Sequence, residues 1–98
     1  MLNMRIPRTF KLFGETIKVV FKSNLKYKEL DLNGFCDPDN NKIYLRTNLE
    51  KQYLEATFYH ELTHMLFLKI DENKLSANEK LISCFSGLLN QFLKTRKY

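Results

Sequence analysis

The chain has 98 residues, of which 44% are hydrophobic and 13% aromatic, a normal supply for one small folded domain and too short a length for two. A charged fraction of 28% argues against a disordered chain, and the net charge of +5 raises the question of a nucleic-acid partner. The whole chain, 1–98, therefore reads as a single domain with its core between about residues 10 and 94.

Met1 to Arg8 carries no apolar run long enough for a signal peptide or a membrane span. Cys36 and Cys84 are too few and too far apart for a disulfide framework, so two free thiols in a cytoplasmic protein are expected, with no membrane partner. The basic carboxyl end, with Lys94, Arg96 and Lys97, reads as a solvated helix end whose cations sit near its negative pole. The other basic residues are spread along the sequence and not clustered with aromatics, which argues against nucleic acid.

In chain order, Phe10 to Phe21 reads as two strands joined at Gly14-Glu15, the second rich in β-branched and aromatic residues. Ser23 to Leu32 fits either a strand or an irregular crossing. Gly34 to Asp37 and Lys42 to Leu45 flank Pro38-Asp39-Asn40-Asn41, where proline presets one dihedral and short polar side chains bond the nearby backbone, so a second antiparallel hairpin is expected. The spacing, glycine and terminal glutamate of a calcium loop are missing from that turn.

Thr47 followed by Glu50 has the form of a capping box, and Leu54, Phe58, Leu62, Met65 and Leu66 then recur at helical spacing, predicting a helix near 48–70. Asp71 to Lys74 reads as a polar connection between antiparallel helices. Ser76 with Glu79 suggests a second capping box, opening a helix near 76–95 that carries Leu81, Ile82, Phe85, Leu88, Leu89, Phe92 and Leu93. Gly87 lowers its propensity, and close approach to the first helix would explain the glycine.

Inside the first helix stands His60-Glu61-Leu62-Thr63-His64, which contains both histidines of the chain. Side chains four apart share a helix face, so His60 and His64 can offer imidazole nitrogens to one ion. Glu61 beside them can remain outside the ligand set and serve as a general base, and the donor types favour one Zn2+ per chain. Thr63 and Met65 read as packing residues.

Catalytic zinc takes three protein ligands and leaves a position open. Asp71 and Glu72 would need a sharp reversal to return to the histidines, whereas Glu79, in the first turn of the facing helix, can come level with them. The capping box with Ser76 competes for the same carboxylate.

From about Phe10 to Leu93 the chain resembles the gluzincin class of zinc metallopeptidases, and more narrowly the minigluzincins, the ImmA/IrrE-like domains and short metallopeptidases of phage and prophage genomes. The likeness is carried by the order of two hairpins and two helices, by Gly34 to Asp37 and Ile43 to Leu45, and by the H-E-x-x-H. In those relatives a glutamate opening an E-x-x-A/V-x-x-F/L-A pattern completes the zinc site. Glu79, Ile82, Phe85 and Ser86 follow the pattern here, with Ile82 larger than the usual alanine and Ser86 replacing the last one.

The resemblance implies an α+β, zincin-like domain, with antiparallel hairpins packed on the two helices. It implies a zinc metallopeptidase using His60, His64 and Glu79 as ligands and Glu61 as base, on a peptide or protein substrate. No second histidine or obvious tyrosine supplies an oxyanion donor; Tyr59 and Tyr44 are the candidates, although aromatics so placed are more often packing. The strand near Lys42 to Leu45 is expected at a sheet edge, where it could pair with an extended substrate. The competing expectation is a catalytically silent, zinc-stabilised protein-binding module, against which the count of three ligands speaks.

Overall fold

A computed structural model describes residues 6–98. The first five positions of the Met1 to Arg8 segment lie outside the described residues. The domain is α+β, with a four-stranded sheet covered on one face by the helices.

Strand β1, Thr9–Leu12, and strand β2, Glu15–Lys22, pair antiparallel through a two-residue turn. The turn is Phe13-Gly14, one residue earlier than expected, and both residues have positive φ, 51° and 78°. That conformation matches the right-handed twist of the flanking strands. Ser23 to Leu32, open in the sequence, folds into a short hairpin of β3, Lys26–Tyr27, and β4, Leu30–Asp31. Arg46 ties this hairpin down, donating from Nε to Leu32 O at 2.8 Å and from Nη2 to Leu25 O at 2.8 Å.

Strand β5, Gly34–Asp37, and strand β6, Lys42–Arg46, form the second antiparallel hairpin around a 3₁₀ turn at Pro38–Asn40. The two hairpins join through parallel pairing of β2 with β6, so the sheet is mixed, in the order β1-β2-β6-β5. This corrects the expected edge position of Lys42 to Leu45: β6 is interior and β5 is the edge. Ile43 and Leu45, both at 0% exposure, show why β6 lies inside. They face Ile17 and Val19 of β2 and the helix residues Phe58, Tyr59 and Met65 in one core. Each fully buried aliphatic side chain there contributes roughly 1.5–3 kcal/mol.

Helix α1 spans Lys51–Lys69. The Thr47–Glu50 capping box does not form: Glu50 is the N-cap and makes no side-chain cap bond. Thr47 instead donates its amide to Lys22 O at 3.0 Å, so its backbone prolongs the strand ladder. A single-turn helix α2, Asn73–Ser76, precedes α3, Glu79–Thr95. The cap of α3 is Asn78, whose Oδ1 accepts from the Leu81 amide at 3.1 Å, and this replaces the expected Ser76–Glu79 box. Thr63 and Met65 are both at 0% exposure, as packing residues should be. A Cβ on Gly87 would meet nothing within 4 Å, so close helix approach does not explain that glycine.

Candidate metal centre

α1 presents His60 and His64 on successive turns, with ring centroids 4.9 Å apart. The cap at Asn78 leaves Glu79 as the first residue of α3, with its carboxylate free of backbone duty and turned to the histidines. His60 Nε2 lies 3.2 Å from Glu79 Oε1, and His64 Nε2 lies 3.3 Å from Glu79 Oε2. Potential ligand atoms of all three residues lie within 4.8 Å of one another, the only such group of His, Cys, Asp or Glu among the described residues.

Both separations are longer than the roughly 2.7–2.9 Å of a charge-assisted N–H···O bond, and each histidine is nearest a different carboxylate oxygen, so the three side chains converge without closing into a tight ion pair. Burial holds the pKa of His64 below its ordinary value, against the pull of Glu79, so the neutral imidazole a metal needs is favoured. His64 Nδ1 stands 3.0 Å from the hydroxyl of Ser76, a buried residue at the end of α2. A proton on Nδ1 donated to that hydroxyl leaves the Nε2 lone pair for the ion.

Glu61 lies against β5, beside His60. Burial first, and then the charge of Glu79, raises its pKa to about 7. The close neighbour is Gly34 at the start of β5: a Cβ there would stand 2.6 Å from Thr57 Cγ2, 2.9 Å from Glu61 Cγ and 3.3 Å from Glu61 Oε2. Only glycine lets the strand approach the helix this closely. Asn33, Gly34, Ala56, Thr57, His60 and Glu61 line an open depression beside the cluster.

Other sequence candidates fall elsewhere. Asp71 and Glu72 are exposed and outside the cluster. Tyr44 points to the face of the sheet opposite α1, beside Phe35 and under Lys22, so it cannot serve as an oxyanion donor. Tyr59 is 7% exposed and packs with Phe58 in the core. Cys36 and Cys84 are unpaired, and burial with the Glu61 and Asp37 carboxylates pushes the Cys36 thiol up to about 12. The sequence reading named Gly34 only as the start of the Gly34 to Asp37 likeness, without its approach to Glu61, and misassigned Ser76; a glycine opening a strand was the available signal for the first.

No family model, curated protein or solved structure matches the chain. The fold and the cluster thus define a small α+β domain with a His/His/Glu group suited to a metal ion, in an arrangement consistent with a zincin-like site. No helix among the described residues is long and apolar enough to cross a membrane.

Proposed function

We propose that the chain is a zinc-dependent peptide hydrolase, with His60, His64 and Glu79 as ligands and Glu61 as general base. The observation that carries this reading is the convergence of His60, His64 and Glu79, whose ligand atoms lie within 4.8 Å of one another, with Glu61 beside them. Bound zinc would supply a Lewis acid and a readily deprotonated water. Glu61, beside the cluster in the same depression as His60, is placed to accept a proton there and return it to the leaving amine. The depression between His60, Glu61 and Gly34 offers the place for a scissile bond. Edge strand β5, which among the described residues pairs with β6 alone, takes over the role expected of β6 and can hold an extended peptide by backbone pairing.

The free thiols fit a reducing, cytoplasmic setting. Three ligands with a carboxylate beside them favour catalysis over a zinc-stabilised binding module, because a closed structural site takes four.

The test is Glu61→Gln in the zinc-loaded protein, assayed by mass spectrometry on a peptide library. The parent should cleave and the variant should retain zinc while losing about 10²–10⁴ in rate. Equal cleavage by both proteins, or none by the zinc-loaded parent, removes the hydrolase reading.

A further inference from the structure

The sheet brings together residues that the sequence keeps apart. Ile17 and Val19 of β2 and Ile43 and Leu45 of β6 face the helices, so the alternate residues of these strands share the opposite face. Register places Lys18 beside Lys42, Val20 beside Tyr44, and Lys22 beside Arg46. Antiparallel pairing adds Phe35 beside Tyr44 and Asp37 beside Lys42, and Lys11 extends the face on β1. Its cations are Lys11, Lys18, Lys22, Lys42 and Arg46, against Asp37 on the same four strands and Asp31 of the β3–β4 hairpin, whose Oδ1 lies 3.6 Å from Arg46 Nη2. Five of the chain's sixteen Lys and Arg residues are therefore collected on one face.

Aromatic rings cross the middle of that face. Tyr27, from the β3–β4 hairpin, stacks on Phe35 at 5.3 Å and 21°, and Phe35 lies 6.3 Å from Tyr44. Lys22 Nζ sits 5.1 Å from the centroid of Tyr44, and Lys28 Nζ sits 5.4 Å from that of Tyr27. Tyr27 is 49% exposed. Arg46 is committed to the carbonyls of the neighbouring segment, which leaves the lysines as the mobile cations.

We propose that this sheet face binds single-stranded nucleic acid, with lysines on the phosphates and Tyr27 and Tyr44 as platforms for bases. The occupant follows from the combination. An acidic peptide would match the lysines and leave the ring faces unused, and a duplex hides its base faces. A single strand offers a phosphate chain and π-faces together, and lysines over ring faces are readily exchanged for bases. The site lies on the face away from the metal cluster and is independent of the hydrolase reading.

The experiment is fluorescence anisotropy of the full chain with a labelled oligothymidylate of about twelve nucleotides. With three to five phosphates neutralised, affinity should fall about 15–100-fold between about 50 and 200 mM salt. The exposed pair Lys18→Glu with Lys22→Glu should weaken binding at least tenfold. Lys74→Glu with Lys80→Glu makes the same charge change on the helical side and should leave affinity within about threefold.

Tyr27→Ala, at an exposed position, should cost about five- to a hundredfold. The His60→Ala protein should bind the oligonucleotide like the parent. No binding at the lower salt, equal loss from both charge-reversed pairs, or an unchanged Tyr27→Ala protein overturns the proposal. So does binding to anionic lipid vesicles without binding to the oligonucleotide.

Discussion

Gly34→Ala tests the contact that sets Glu61 against the sheet. The new Cβ would stand 2.6 Å from Thr57 Cγ2 and 2.9 Å from Glu61 Cγ, about 1 Å inside ordinary contact with both. Neither neighbour is a flexible chain end: one is a methyl on a β-branched side chain, and the other is held close to the backbone of α1. The strand must therefore move off the helix or Glu61 must turn, at a cost of about 1–3 kcal/mol.

In a domain of this size that corresponds to a melting temperature lower by about 4–20 °C. The metal ligands lie on α1 and α3 and are not among the atoms nearest a Gly34 Cβ, so zinc affinity should change less than about threefold while hydrolysis falls tenfold or more. Thr57→Ala removes the nearer clash, and the double variant should recover about 1 kcal/mol relative to additivity. The reasoning fails if Gly34→Ala is as stable as the parent, or if the two substitutions simply add.

Two further predictions concern the same region. Ser76→Ala should weaken zinc binding about 10–100-fold in a chelator competition while Ser76→Thr stays near the parent, because the hydroxyl orients His64. The raised pKa of Glu61 means that the metal-free fold binds a proton the unfolded chain releases. Its stability should fall as pH rises from the usual carboxylate value of 4.5 through about 7. Glu61→Gln should flatten that part of the metal-free pH profile and be the more stable protein near pH 8, by up to about 3 kcal/mol less the screening at a half-buried site. A parent whose metal-free stability rises across that window contradicts the assignment.

What the sequence disclosed was local. The histidine pair needs only the four-residue spacing of one helix, and Glu79 needs only a short return onto it. Both hairpins were readable because each is closed by its own turn. The parallel pairing of β2 with β6 was not, because no local pattern specifies which strands of separate hairpins become neighbours. Ser76 and Glu79 fit a capping box in sequence, yet Asn78 takes the cap, and both side chains are released toward the histidines. The same dependence on register hid the basic face: lysines spread along the chain converge only when β1, β2 and β6 are laid side by side.

The central claim is that His60, His64 and Glu79 hold one metal ion, and a zinc-soaked crystal with anomalous data at the zinc edge tests it most directly. The account predicts one ion per chain, with both Nε2 atoms at about 2.0–2.1 Å and a Glu79 oxygen at about 2.0–2.2 Å. It also predicts a remaining coordination position open toward Glu61. An ion bound elsewhere, or a site completed by Asp71 or Glu72 with Glu79 turned away, would contradict it.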